Sequence, residues 1–395
     1  MRKFILFALL SAAAALPAAA QDATPTPSAE SAPSQTPITV PVVVAGDVFD
    51  RAGTAFDAGD YQTAISEYSL FILLNPGFAE AYYSRGVSYA ALNLLDDALA
   101  DLQTALDLPA PSAELTGRAH LVRFSIYLQQ GKETEAMTEA DAAIAAAPDL
   151  SDAYYNRGAF YAAQNDYARA LTDYNEMVRL LPDDPGAFNE RGHLHVQMGD
   201  LQAAMDDYSE VVRLSPEEAG GYANRAGIYI EQQAYELALT DLTEALRLRP
   251  DAVGLYLQRG MVQSLLGNTA LAAADYLDWI QSQQKNTDAT HLLRSGESQV
   301  VELDQGMVYV FSFEGHAGQT VTLSATSRTA GVTDPLLVLL NPQGDPIAAD
   351  DDSGGNYDAA LTDLVLPTDG IYGLVVSHAG GGSDGAVRVL LTAAP

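Results

Sequence analysis

The chain carries two different hydrophobic patterns, one after the other. From Ala45 to Gln284, apolar residues recur every three to four positions, which is the period of an amphipathic helix. After Lys285 this period is lost, and short runs of β-branched and other apolar residues alternate with turns such as NPQGD and HAGGGSDG. The sequence therefore predicts an α-helical region followed by a β region.

Within the helical region, an arginine returns at a nearly constant interval. It stands at positions 51, 85, 123, 157, 191, 225 and 259, so the steps are 34, 38, 34, 34, 34 and 34 residues. The longer step contains extra residues in LPAPSAELTG (Leu108–Gly117), which indicates a loop insertion. The spacing predicts seven helix-turn-helix repeats between residues 45 and 284.

An acidic residue follows each of these arginines sixteen positions later. In a helical hairpin this offset carries the arginine of the first helix across to the second helix, so we expect one structural ion pair per repeat. The alternative, a stripe of arginines that binds an anionic ligand, is disfavoured because every arginine already has an acid in register. The expected pairs are Arg51 with Glu67, Arg85 with Asp101, Arg123 with Glu139, Arg157 with Asp173, Arg191 with Asp207, Arg225 with Asp241, and Arg259 with Asp275.

This repeat resembles the tetratricopeptide repeat family, whose unit is 34 residues long and forms two antiparallel helices. The family's small position on the first helix is filled by Gly86, Gly158, Gly192 and Gly260, and an alanine recurs on the second helix. Phe124 departs from the small position, and Gln284 replaces the final proline, which marks the last repeat as a terminal cap. The resemblance implies a right-handed α-solenoid with a concave groove for an extended peptide or a partner helix.

The same resemblance points to groove positions on the first helix of each repeat. They hold no lysine, so the grip on a C-terminal carboxylate that some family members use is not implied. The alternative is that some of these side chains only pack between neighbouring repeats. The candidate peptide-binding residues are Tyr83, Leu121, Tyr155, Asn189, His193, Leu257 and Met261.

Eight short strands are predicted in the β region, in a pattern typical of a β-sandwich. The stretches GQTVTLSATS, DPLLVLLNPQGDPIAADDDSGGNYDAAL and LPTDGIYGLVVS resemble the bacterial pre-peptidase C-terminal domain. This resemblance implies that residues 289–395 form a jelly-roll-like β-sandwich, an accessory module of secreted bacterial proteins. The predicted strands are Gln299–Asp304, Met307–Phe313, Gln319–Thr326, Leu336–Leu340, Pro346–Ala349, Leu361–Leu366, Ile371–Ser377 and Ala386–Thr392.

One loop of the β region is rich in aspartate. Clustered carboxylates with flexible glycines offer the hard oxygen ligands that Ca²⁺ prefers. A calcium site is one hypothesis and a solvated acidic turn is the other, and no further cofactor is expected. The candidate ligands are Asp345, Asp350, Asp351, Asp352 and Asp358.

The N-terminus has the pattern of an export signal. Arg2 and Lys3 precede the apolar run Phe4–Leu16, and an A-x-A cleavage signature stands before Gln21. Residues 1–20 are therefore predicted as a signal peptide, and residues 21–44, rich in Ala, Thr, Pro and Ser, as a tether. The signal peptide predicts a secreted or cell-envelope protein. Because the chain has no cysteine to carry a lipid, we do not expect a lipoprotein.

The charge and the absent motifs narrow the function. A formal net charge of −32 repels phosphate backbones and anionic lipid, and no later apolar run is long enough to span a bilayer, so we expect neither nucleic-acid binding nor membrane insertion. No H-E-x-x-H, phosphate-binding glycine loop or cysteine nucleophile is present, so we expect no enzyme. The expected function is a secreted scaffold whose solenoid groove binds a protein or peptide. The alternatives are a non-catalytic accessory of a secreted hydrolase or peptidase, and an envelope adhesin that binds polysaccharide.

Overall fold

A computed structural model of the chain describes residues 45–109, 111–283, 286–304, 307–328, 333–352, 357–379 and 384–393. The predicted signal peptide and tether lie outside the described residues. The described residues form fourteen α-helices followed by nine β-strands. They divide into two compact parts, an N-terminal region, Met1–Leu194, and a C-terminal region, His195–Pro395.

The helices follow the predicted hairpin order. Successive pairs, α1 with α2 through α13 with α14, make up repeats one to seven. The N-terminal region contains α1 (Ala45–Asp57), α2 (Tyr61–Leu74), α3 (Ala79–Ala91), α4 (Leu95–Asp107), α5 (Ala113–Gln129), α6 (Glu133–Ala146), α7 (Ser151–Ala163), α8 (Tyr167–Leu180) and most of α9 (Pro185–Met198). The C-terminal region continues with α10 (Leu201–Leu214), α11 (Ala219–Glu231), α12 (Tyr235–Leu248), α13 (Val253–Leu265) and α14 (Thr269–Gln283).

The turn inside each hairpin depends on one residue with positive φ. This left-handed conformation is tolerated best by glycine and next by asparagine. In three repeats an aspartate that follows this residue caps the second helix, since its side chain accepts a backbone N–H of the first turn: Asp60, Asp166 and Asp200. The positive-φ residues, with φ between 59° and 77°, are Gly59, Asn93, Gly131, Asn165, Gly199, Gln233 and Gly267.

Inside the hairpins, a small residue on the first helix lies against a large one on the second. A Cβ added at Gly158 would stand 2.8 Å from a ring carbon of Tyr174, which is too close for any other residue without a shift. Repeat three departs from this pattern because Phe124 occupies the small position. There the sizes are reversed, and Phe124 is fully buried against Ala136 and Ala140.

The β region contains one strand more than the sequence predicts. The additional strand, β1 (Asn286–Leu292), pairs in parallel with β3 (Met307–Gly315), so the predicted domain start at residue 289 falls inside a strand. The other strands overlap the eight predicted ones: β2 (Ser298–Leu303), β4 (Thr320–Ser327), β5 (Pro335–Leu340), β6 (Pro346–Asp350), β7 (Ala359–Val365), β8 (Gly370–His378) and β9 (Gly385–Ala393).

The strands form two sheets that enclose one hydrophobic core. The first sheet has the order β1-β3-β8-β5-β6, and the second has the order β2-β9-β4-β7. Every pair other than β1 with β3 is antiparallel. Phe311 and Leu337 of the first sheet and Leu323 and Val389 of the second lie in this shared core.

The outer face of the first sheet is covered by α14, the last helix of repeat seven. Tyr276 and Ile280 of α14 share a buried cluster with Val308, Leu336 and Val375 of the sheet. Sheet strands buried on both faces carry continuous apolar runs, and β5, Pro335–Leu340, is such a run. The prediction that the last repeat is a terminal cap is therefore wrong, since α14 is an internal layer between its own hairpin and a β-sheet.

Candidate functional site

The predicted groove residues have different surroundings from one repeat to the next. Tyr83 and Leu121 are only 4% and 1% exposed, so they cannot touch a partner. Tyr83 packs with Leu115 and Val122 of repeat three, and Leu121 packs with Leu150 near the start of repeat four. Burial also raises the pKa of Tyr83 to about 12. These two residues are corrections to the predicted site.

The physical reason lies in the spacing of the first helices. In repeats two to four, α5 contacts both α3 and α7, so these helices approach each other directly. Their inward side chains then fill the space between repeats instead of lining a groove. The repeat register identifies which side chains point inward, but it does not give the distance between neighbouring helices.

Leu257 takes part in a structural contact. It is partly buried, and it packs against the cluster that joins α14 to the first sheet. It thus contributes to the contact between repeat seven and the β region. Met261, four residues further along α13, is half-buried.

Three predicted residues near the end of the N-terminal region keep some exposure. Tyr155 and Asn189 are half-buried, and His193 is exposed. Tyr155 stacks on Tyr174, with ring centroids 6.4 Å apart and planes inclined by 16°. The accessible part of the predicted groove in this region is therefore centred on α7 and α9.

Glu190 also belongs to this site, and it is not among the groove residues predicted from the sequence. It is half-buried on α9, and burial raises its pKa while the nearby His193 lowers it in part. Burial and then the charge of Glu190 raise the pKa of both Tyr155 and Tyr174, so the carboxylate lies close to both phenols. A sequence signal existed: Glu190 directly precedes a repeat arginine, a position that is acidic elsewhere only at Asp50.

Six of the seven repeat arginines form the predicted contacts with the second helices. Salt bridges of 2.6–2.8 Å join Arg51 to Glu67, Arg85 to Asp101, Arg123 to Glu139, Arg157 to Asp173, Arg225 to Asp241 and Arg259 to Asp275. The acids are largely buried, except Glu67 at the chain's first hairpin. Arg191 and Asp207 belong to different compact parts, and their pairing stays a prediction.

Several arginines also reach back to the preceding repeat. Arg157 donates through Nε and Nη2 to Asp173, at 3.0 and 2.7 Å, and through Nη1 to Asp141 of repeat three at 2.6 Å. Arg85 donates in the same way to Ser69, at 3.0 Å, and Arg191 to Asn175, at 2.9 Å. The guanidinium therefore ties three helices together, which the sixteen-residue offset alone does not predict. These donors are occupied, so the arginines are structural residues.

Repeat three adds a histidine to this arrangement. His120 Nδ1 lies 2.6 Å from Glu139 Oε2, while Arg123 contacts the other carboxylate oxygen. Burial acts to raise the pKa of Glu139, but His120 and Arg123 outweigh it, and the pKa is lowered. Glu139 is thus held in its charged form.

The predicted calcium ligands do not converge. Asp350 Oδ2 accepts the backbone N–H of Ala360 at 2.7 Å, and Asp358 Oδ1 accepts that of Ser327 at 2.7 Å. Asp345 Oδ2 accepts from Asn341 Nδ2 at 3.1 Å in the turn before β6. Within the part of the chain that the structure describes, no group of three or more such side chains is placed to hold a metal ion. Calcium binding stays a prediction.

Asp351 is the exception within that loop, because it faces α14. The Tyr276 hydroxyl donates to Asp351 Oδ2 at 3.3 Å. Burial, followed by the charges of Asp352 and Asp350, raises the pKa of Asp351 to about 6. This aspartate therefore lies at the contact between α14 and the β region.

The exposed face of α2 differs from those of later second helices. In repeats four, five and six, a glutamate and an arginine three residues apart form ion pairs there: Glu176–Arg179, Glu210–Arg213 and Glu244–Arg247. At the matching positions α2 carries Leu70 and Leu73, which are 39% and 78% exposed. Leu74 and Phe78 extend this apolar surface.

A succession of helical hairpins, six of which show the same arginine-acid link, defines a helical-repeat protein of the solenoid type. The repeats are tetratricopeptide repeats: models of this family match residues 49–113 and 118–185, residues 158–223, and residues 219–252. Repeat seven lies beyond the matched residues, but its Arg259–Asp275 bridge repeats the pattern. Among the helices that the structure describes, none is both long and apolar enough to cross a membrane.

Comparison with solved structures finds similar proteins. The C-terminal part of a tetratricopeptide repeat protein from Cytophaga hutchinsonii is 17% identical with a TM-score of 0.51, and the alignment covers 60% of this chain and 96% of that one. A tetratricopeptide repeat protein from Parabacteroides merdae is 17% identical with a TM-score of 0.42, over 61% of this chain and 94% of that one. The pilF protein of Pseudomonas aeruginosa is 19% identical with a TM-score of 0.43, over 51% and 90%. No curated protein matches the chain significantly.

Proposed function

We propose that this protein is an extracytoplasmic interaction scaffold whose helical repeats bind a protein or peptide partner. The observation that carries the proposal is the partly open inner surface at Tyr155, Asn189 and His193, in a chain whose repeat arginines are occupied by structural ion pairs. Tetratricopeptide repeat proteins generally serve as interaction scaffolds, which supports this role. Half-exposed aromatic and polar side chains are the usual anchors of peptide recognition.

The location and the β region complete the proposal. Residues 1–20 act as the export signal, and residues 21–44 as a tether that precedes α1. The β region, which resembles the pre-peptidase C-terminal domain in sequence, is a jelly-roll-like accessory module that supports repeat seven through α14. The role is non-enzymatic, and incubation of the purified protein with casein and glycan substrates should give no turnover.

The test is affinity capture with the full chain. A cut at residue 289 would divide β1 and remove α14 from its sheet, so isolated parts are poor baits. The full-length protein and its Tyr155→Ala and His193→Ala variants are used to capture partners from the secretome of the producing cells. Both substitutions should reduce the captured partner, whereas Val365→Ser, on an exposed strand residue of the β region, should not. Capture that survives both groove variants but is lost with Val365→Ser would overturn the proposal.

A further inference from the structure

Three oxygen-bearing side chains meet on the inner surface of repeats four and five. Tyr155 comes from α7, Tyr174 from α8 and Glu190 from α9, so three consecutive helices contribute. The two phenol rings are stacked, and they share a cluster with Ala187 and Leu194, which lie one helical turn before and after Glu190 on the same face of α9. The charge of Glu190 accordingly raises the pKa of both hydroxyls. The surroundings of the carboxylate are thus aromatic and only partly open to water.

Glu190 differs from the repeat acids in having no arginine partner among the described residues. The acids expected to pair with the repeat arginines stand sixteen residues after them, and Glu190 is not at such a position. Among the described residues it makes no hydrogen bond and no salt bridge, and only the exposed His193 lowers its pKa. His193 offsets the burial of this carboxylate only in part, so the charged form costs stability and an external cation would gain from filling the position.

The tyrosines provide the rest of a cation site. Tyr174 is only 4% exposed, and its hydroxyl, like that of Tyr155, has no hydrogen-bond partner within the described residues. Phenol oxygens accept hydrogen bonds from ammonium and guanidinium groups, and aromatic faces attract cations. A chain of net charge −32 will also draw basic segments towards its surface.

We propose that Tyr155, Tyr174 and Glu190 form a pocket for one lysine or arginine side chain of a basic peptide segment. The inference rests on the proposed function and specifies its partner: the segment bound by the repeats is basic. Glu190 forms the charge-assisted contact, the hydroxyls accept further hydrogen bonds, and the side-chain methylenes lie along the rings.

The test uses the full-length protein and a capped, fluorescein-labelled tetralysine peptide, with the tetra-norleucine peptide as its neutral counterpart. Binding is measured by fluorescence anisotropy at low and at physiological salt, because non-specific attraction to an acidic surface is screened by salt. Glu190→Gln removes the proposed contact. Glu133→Gln, at an exposed acid in the first turn of α6, removes the same charge elsewhere and is the matched control.

We expect tetralysine to bind the parent and Glu133→Gln equally, to bind Glu190→Gln about tenfold more weakly, and tetra-norleucine to bind none of them. Glu190→Gln should fold at least as stably as the parent, since it removes a half-buried charge that His193 compensates only in part, so lost binding cannot be ascribed to unfolding. Equal weakening by both glutamine variants, or spermidine binding as tightly as the peptide, would overturn the proposal. If secretome capture depends on Tyr155 but no tetralysine binds, the pocket is wrong while the proposed function stands.

Discussion

Phe124 on α5 packs against Ala140 on α6, which reverses the contact between Ala52 and Tyr68 at the same positions of repeat one. All four side chains are buried, so each pair fills a similar space between the two helices of its hairpin. The interior of a repeat thus fixes the combined volume of the pair and leaves open which helix supplies the large residue.

This volume rule predicts the result of a swap in repeat three. Phe124→Ala should destabilise the protein by about 3–5 kcal/mol, because it leaves a cavity against Ala136 and Ala140. Ala140→Tyr alone should cost about 1–3 kcal/mol by overpacking. The double variant recreates the pair of repeat one and should recover most of the loss. Urea unfolding midpoints of the three variants and the parent measure this, and additive losses would refute the rule.

A second prediction concerns Arg157. Arg157→Leu removes the partner of Asp173, whose side chain is 2% exposed, and should cost about 3 kcal/mol. Arg157→Leu with Asp173→Leu should recover much of that loss, since an apolar pair often replaces a buried ion pair well. Asp141→Asn, which weakens only the contact between repeats at a 63% exposed side chain, should cost less than about 1 kcal/mol. An Arg157→Leu variant with unchanged unfolding but no partner capture would show that the arginine is a ligand site.

The third prediction is a pH dependence at Asp351. Its pKa in the folded protein, about 6, lies above that of an unfolded aspartate, so the folded state binds the proton more tightly. The destabilisation is therefore present above pH 6 and is relieved as the pH falls towards 4. Asp351→Asn should raise the free energy of unfolding at pH 7.5 by up to about 3 kcal/mol, which is seen as a higher urea midpoint. At pH 4 the substitution should leave the free energy of unfolding nearly unchanged. A variant that shifts the midpoint equally at both pH values would contradict the assigned cause.

Calcium gives a fourth prediction that uses the same loop. If Asp345, Asp350, Asp352 and Asp358 rearrange around Ca²⁺, millimolar Ca²⁺ should raise the melting temperature of the full protein relative to chelator by ligand linkage. Mg²⁺ at the same concentration is the control, since it prefers a smaller octahedral site. Identical melting temperatures in Ca²⁺ and in chelator would contradict a calcium site in this loop.

The exposed leucines of α2 give the fifth prediction. Leu70→Glu with Leu73→Arg grafts the ion pair of repeats four to six onto repeat one. Both leucines are exposed, so the free energy of unfolding should change by less than about 0.5 kcal/mol. Binding of a hydrophobic dye should decrease because the apolar surface around Leu73 is broken up. The charge-neutral variant Leu70→Gln with Leu73→Gln separates the loss of apolar surface from the new ion pair.

The helical fold could be predicted because residues close together in the sequence determine each hairpin. The spacing of a repeat arginine and an acid sixteen residues later is enough to predict a hairpin contact such as Arg85–Asp101. The same reasoning failed for Tyr83, because its burial depends on how closely α3 and α5 approach each other. Glu190 was missed for a related reason, since its neighbours Tyr155 and Tyr174 come from two other helices.

The β region was predictable where its strands alternate and less so where they do not. β1 reads NTDATHL, a polar stretch that becomes a strand through its parallel pairing with β3. The run PLLVLL of β5 indicated a strand, but its unbroken apolar character also indicated cover on both faces. That cover is α14, which the division into two separate domains did not anticipate.

The sheet on α14 also limits the length of the array. Helical repeats are open-ended, because the last hairpin offers a surface on which one more repeat, or another molecule, can stack. In the C-terminal region this surface is occupied by strands that contribute Leu336, Val338 and Val375. Head-to-tail growth into filaments would require displacing a folded sheet. We therefore expect the sheet to block the stacking of another molecule on α14.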